Sequence, residues 1–196
     1  MANLKTLDIK NNIFIGPQKT GTSLIYDYLE YCSLSRTKIK ETFYFELNKK
    51  PKLKNYYKKF SNIDHYMSEV SPSYFSSEEA RKNILNLLPE SNIIINFRKP
   101  RNLIKSYLIH LYSIGKIRSN DFLAIDLSSS IDLKPISYDF YLPKWEKDFK
   151  NIYFLKFEDF IDSPEYRFKI FLSLFPKNYI EKMKYITLDK SNESFS

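Results

Sequence analysis

The stretch IFIGPQKTGTSLIYDYL, residues 13–29, limits what this chain can fold into more than any other part of it. A short apolar run over residues 12–15 enters a turn closed by Gly21. Leu24, Tyr28 and Tyr31 then recur at helical spacing, which predicts a helix over residues 22–31 with those three on one face. Strand, glycine turn and helix in this order make a cradle for an anion. The turn aims successive backbone N–H groups at the helix N-terminus, where hydrogen bonding and the helix dipole both favour phosphate. Lys19 adds a full charge, and Thr20, Thr22 and Ser23 add hydroxyl donors.

The remaining elements alternate. Residues 69–71 read as a short strand before an SPSYF turn, and residues 78–88 as a helix stopped by Pro89. IIINF, residues 93–97, is a β-branched run suited to a strand buried on both faces. RKPRN follows as a loop fixed by Pro100, then a helix over about residues 102–112. IYFLKFEDF, residues 152–160, reads as another strand, and SPEYRFKIFLSLF as a helix with Ser163 as N-cap and Pro164 at its first position. Strands alternating with helices imply an α/β fold with a central parallel sheet flanked by helices. Residues 119–143 are the least readable, and no internal repeat is visible.

Composition narrows the function. A chain of 196 residues without a Pro/Gly/Ser-rich linker is expected to form a single domain over residues 1–196, and 17% aromatic residues are too many for a disordered chain. There is no run of about eighteen apolar residues and no secretory signal in MANLKTLDIK, so the expected location is the cytoplasm. One cysteine, Cys32, and two histidines speak against a disulfide and against a Cys/His metal cluster. The net charge of +8 favours anionic partners. Lys49, Lys50, Lys52, Lys54, Lys58 and Lys59, with Tyr56 and Tyr57 between them, could form a nucleic-acid platform, but no nucleic-acid motif accompanies them. They read as a solvated face, and nucleic acid is not an expected partner.

The spacing within the turn separates it from the nucleoside-triphosphatase loop, in which lysine follows the second glycine. Here Lys19 precedes Gly21, and Thr22 follows it. GPQKTGTS instead resembles the 5′-phosphosulfate loop of sulfotransferases that use 3′-phosphoadenosine 5′-phosphosulfate (PAPS), most closely the heparan sulfate N- and O-sulfotransferase branch. KETFYF (residues 40–45), EVSPSYF (69–75), NFRKPRNLIKSYLIH (96–110) and YFLKFEDF agree with that family in order and spacing. The resemblance covers about residues 13–175.

It implies PAPS as donor, no metal, and an acceptor that is a small molecule or a glycan. Gln18, Lys19, Thr20, Gly21, Thr22 and Ser23 would hold the 5′-phosphosulfate, and Arg98 and Ser106 the 3′-phosphate. Lys19 would also stabilise the leaving phosphate, with Glu41 as general base. Lys40, Ser71 and Tyr74 would face the acceptor. The residues themselves agree with part of this: Arg98 leaves the end of a strand, and Ser106 lies one helical turn before His110, so a guanidinium and a hydroxyl can meet one phosphate. His110 is expected to pack, Arg101 and Lys105 to form a basic helix face, and His65 to be the next candidate base. Val70 stands where the heparan branch often has lysine, and residues 190–194 match a remnant of the family's late nucleotide-covering segment. Two other readings remain on sequence grounds. One is a kinase-like phosphotransferase, which needs an aspartate for magnesium where IIINF has Phe97 and Arg98; the other is a non-catalytic anion-binding protein on the same fold.

Overall fold

The structure is a computed structural model that describes residues 8–118 and 131–180. Four strands, β1 (Lys10–Ile15), β2 (Tyr66–Val70), β3 (Asn92–Phe97) and β4 (Ile152–Lys156), form one sheet in the order β2-β1-β3-β4. All three pairings are parallel, as the alternation of strands and helices predicts. In register, Ile15 lies beside Ile95 and Phe14 beside Val70.

Side chains alternate across the sheet, so each strand feeds two cores. Ile13, Ile15, Met67, Ile93 and Ile95 face a layer holding α2 (Tyr44–Leu47), α3 (Leu53–Tyr57), α4 (Glu78–Leu87) and α6 (Tyr138–Asp148). Phe14, Val70, Ile94 and Leu155 face the opposite layer, with α1 (Thr22–Tyr31), α7 (Phe157–Asp162), α8 (Pro164–Leu174) and α9 (Lys177–Ile180). Ile93, Ile94 and Ile95 have no exposed surface, which contributes about 1.5–3 kcal/mol of burial for each side chain. Helix α5 (Pro100–Ser113) packs Leu103, Tyr107 and Leu111 against Ile136 in a smaller cluster.

Helix ends follow local chemistry. Ser77 caps α4 through the Ala80 N–H, and Ser163 caps α8 through the Tyr166 N–H, with Pro164 at the first position as expected. Three expectations change. On α1 it is Ile25, Tyr26, Tyr28 and Leu29 that turn inward, whereas Tyr31 is 67% exposed, because the helix meets the sheet along a face rotated from the one read in sequence. β4 stops at Lys156, and FEDFID is helix α7, whose first turn carries Glu158 and Asp159 where the helix dipole favours acids. The segment 138–148, whose first six residues fall in the stretch with no clear reading, is helix α6 with Pro143 inside it. Residues 119–130 and 190–194 lie outside the described residues.

Among the described residues no helix is long and apolar enough to cross a membrane. Tyr56 and Tyr57 are buried beside Phe60, so the rings expected to interleave with the lysines belong to the core, and the lysines at 49–59 are solvated.

Candidate active site

The sheet order fixes where the chain's special residues meet. β1 and β3 are the two inner strands of the sheet; the chain leaves β1 toward β2 on one side and leaves β3 toward β4 on the other, so the connections leaving β1 and β3 lie next to each other at the carboxyl ends of the strands. The first of these carries the glycine turn and the second carries Arg98.

Within the turn, Lys19 and Gly21 both have left-handed backbone, with φ of 68° and 79°. Gly21 is required on two counts. Beyond its φ, a Cβ there would stand 1.9 Å from Cε2 of Phe157. Gly21 is also the N-cap of α1 and has no side-chain cap, so the helix N-terminus faces the turn with its first-turn amides. The Thr20 hydroxyl donates to the Pro17 carbonyl over 2.6 Å, and both Thr20 and Thr22 are buried. Thr20, expected to offer its hydroxyl to a ligand, therefore shapes the turn from inside. Gln18 and Lys19 are half-buried and Ser23 is exposed.

Arg98 reaches across from β3. Its Nη1 donates to the Lys19 carbonyl over 2.8 Å, its guanidinium lies 4.8 Å from the centre of the Phe157 ring, and its Nε is buried without a partner among the described residues. Burial pushes its pKa below the usual guanidinium range. Behind it, Tyr138 stacks on Phe97 at 4.3 Å, donates to the Asn96 carbonyl and accepts the Arg98 N–H. Glu158 accepts the Lys99 N–H over 3.0 Å. Neither Tyr138 nor Phe157 was singled out in the sequence; both act through tertiary contacts that no local spacing announces. Ser106 is half-buried on α5, which leaves the Arg98 loop.

The Lys40–Glu41 segment arrives from the other side. Residues 35–41 run along the outer edge of β2: the Ser68 N–H donates to the Ser35 carbonyl, the Thr37 N–H to Ser68 and the Glu41 N–H to Val70. This lays Glu41 at the carboxyl end of β2, next to β1, with φ of 59°. Lys40 and Glu41 form an ion pair.

The Lys19 ammonium is held below its usual pKa first by burial, then by the positive charges of Arg98 and Lys40, with Glu41 opposing. Four charged groups from three connections therefore share one field. His110 joins them. Burial, then Lys19 and Lys116, lower its pKa, and Glu41 opposes, so the half-buried imidazole expected only to pack lies within electrostatic reach of the same groups. His65 is exposed, with its ring beside the Asp8 carbonyl. Ser71 and Tyr74, expected to face an acceptor, have no exposed surface, and both donate to Oε1 of Glu69.

No protein-family model matches the chain. It is 33% identical over 118 residues to the human bifunctional heparan sulfate N-deacetylase/N-sulfotransferase 3, covering 54% of this chain and 14% of that protein. Against the mouse bifunctional heparan sulfate N-deacetylase/N-sulfotransferase 4 it is 31% identical over 158 residues, covering 72% of this chain and 18% of that protein. The chain thus spans less than a fifth of the length of either relative. The crystal structure of a sulfotransferase from Alicyclobacillus acidocaldarius superposes with a TM-score of 0.67 at 17% identity, covering 94% of this chain and 86% of that one, which shows a shared fold. Together these likenesses support assigning the chain to the sulfotransferase family.

Proposed function

We propose that this chain transfers the sulfuryl group of PAPS to a hydroxyl or amino group of an acceptor, a glycan. The observation that carries the reading is the meeting at the carboxyl ends of the strands of the Lys19 turn, braced by the Arg98 hydrogen bond to the Lys19 carbonyl, and of the Lys40–Glu41 ion pair, held at the end of β2 by the Glu41 N–H bond to Val70. Three cations around an uncapped helix N-terminus suit a donor with two phosphate groups. The unpartnered Nε of Arg98 offers a buried donor to such an anion.

In this reading the acceptor oxygen or nitrogen attacks sulfur while the bond from sulfur to the 5′-phosphate oxygen breaks. The acceptor proton passes to the Glu41 carboxylate, and the Lys19 ammonium neutralises charge building on the departing oxygen. Gln18, Thr22, Ser23 and the turn amides orient the 5′ end, with Gly21 allowing close approach and Thr20 bracing the turn. Arg98 and Ser106 bind the 3′-phosphate. Lys40 steers the acceptor, with the lysines at 49–59 attracting an anionic glycan chain. Ser71 and Tyr74 act from within, on Glu69, rather than on the acceptor.

Ligand-dependent melting tests this reading against the phosphotransferase one. 3′-Phosphoadenosine 5′-phosphate raises the melting temperature without magnesium, and ATP does not raise it more with the metal. A shift produced only by ATP with magnesium would contradict the reading in favour of a phosphotransferase.

A further inference from the structure

Among the described residues, Glu69 is the one acidic side chain with no exposed surface, and the chemistry above gives it no role. It stands on β2 opposite Ile13, on the aromatic face of the sheet. Its Oε1 accepts from Ser71 and from Tyr74, each over 2.9 Å, and closely from the Thr42 hydroxyl. Three hydroxyls, two from the turn at residues 71–74 and one from residue 42, thus converge on one carboxylate oxygen.

Thr42 is the member of this group that matters for the site, because it follows Glu41. Glu41 and Phe43 on either side of it have φ of 59° and 52°, left-handed backbone that side-chain-bearing residues seldom adopt. The segment holds that shape at two points. Behind Glu41, its own N–H donates to the Val70 carbonyl; ahead of it, the Thr42 hydroxyl is fixed on Glu69 while its oxygen accepts the Tyr44 N–H over 3.2 Å.

The geometry points to Glu69 as a positioning residue that, through Thr42, sets where the Glu41 carboxylate stands over the acceptor. The inference rests on the reading of Glu41 as general base. Glu69 touches neither donor nor acceptor; it acts by holding one hydroxyl of the residue-42 turn. A shift of the base by about an ångström is enough to slow transfer strongly.

Thr42→Val removes the hydroxyl at nearly constant shape, and Thr42→Ser keeps it. Turnover is read with PAPS as donor and N-desulfated heparin as acceptor, and release of sulfate to water is read in parallel. Thr42→Val lowers kcat about tenfold or more with the donor KM unchanged, and Thr42→Ser returns it to within about threefold of wild type. In a Glu41→Gln background, Thr42→Val costs less than about twofold, since the base it positions is already gone. Thr42→Ala, which also lacks the hydroxyl and is smaller, takes its place should Thr42→Val not fold.

Full turnover in Thr42→Val beside a crippled Glu41→Gln would overturn the inference and leave the function standing. A tenfold loss repeated in full in the Glu41→Gln background would overturn it as well, by making Thr42 a general support. Unchanged turnover in Glu41→Gln alone, or no donor turnover in the wild type, would overturn the reading of Glu41 and the inference with it.

Discussion

Arg98 donates through Nη1 to the main-chain carbonyl of Lys19 over 2.8 Å, so the residue leaving β3 braces the turn leaving β1. The arginine therefore does two things at once: it holds Lys19 in its left-handed conformation, and it keeps Nε free for an anion. Arg98→Ala is expected to weaken binding of 3′-phosphoadenosine 5′-phosphate by about ten- to a hundredfold, the scale of a lost charge-assisted bond. The loss should be much smaller for a nucleotide without the 3′-phosphate. Calorimetric titration of both nucleotides checks this, and equal losses would remove the 3′-phosphate from the account of Arg98.

Lys19→Ala is expected to lower turnover by several orders of magnitude while the melting temperature stays close to wild type, since a half-buried turn lysine is not core. The pH dependence has a definite sign. Burial and the neighbouring cations lower the folded-state pKa of Lys19 below its usual 10.5, and the protonated form is the one that meets the phosphate. Donor affinity should therefore fall as the pH rises through a value below 10.5, and Lys19→Arg should move that fall to higher pH. A flat affinity profile up to that pH would contradict the assignment.

Gly21→Ala tests the turn without touching a charge. The added Cβ would meet Cε2 and Cδ2 of Phe157 at 1.9 and 2.1 Å, in a residue with φ of 79°. Overpacking together with the left-handed penalty should cost roughly 2–4 kcal/mol in denaturant unfolding. Adding Phe157→Ala should recover part of the loss, because only the steric share is relieved. Additive losses would show that the two residues do not press on one another.

Burial raises the pKa of Glu69, against the hydrogen bonds from Thr42, Tyr74, Ser71 and Tyr56 that lower it. A carboxyl whose folded pKa lies above the unfolded value contributes stability that is fully present below the unfolded pKa and lost as pH rises through the folded pKa. Stability should thus decline as the pH climbs from the ordinary 4.5 through the raised folded-state value, and Glu69→Gln should flatten this part of the profile. Urea midpoints measured across that range decide it. A wild-type profile that rises there, with no change on substitution, would assign the titration to other groups.

The parts of this molecule legible in sequence are those set by local pattern. IIINF is β3 within one residue, the glycine turn joins β1 to α1, and Ser163 and Pro164 start α8. The β4–α7 boundary was hidden because Phe157 continues the apolar run of the strand while Glu158 and Asp159 already belong to a helix start. Helix α6 was hidden by Pro143, which lacks a backbone donor yet sits inside it. Of the site, the charged residues were legible through their motifs. The support was not: Phe157 packs against Gly21 from another element, and the hydroxyls that meet Glu69 come from positions 42, 71 and 74, a set that exists only once β2 and the residue-42 turn are adjacent.

Transfer of label from PAPS carrying radioactive sulfate to N-desulfated heparin, with Glu41→Gln beside the wild type, decides whether this chain moves sulfate and whether Glu41 takes the acceptor proton. The wild type should move label into the saccharide. Glu41→Gln should bind 3′-phosphoadenosine 5′-phosphate nearly as well and transfer about a hundredfold less or lower, the scale of a positioned base. A wild type that binds the nucleotide but leaves all label in the donor, or a Glu41→Gln protein within about threefold of wild type at saturating acceptor, would contradict the account.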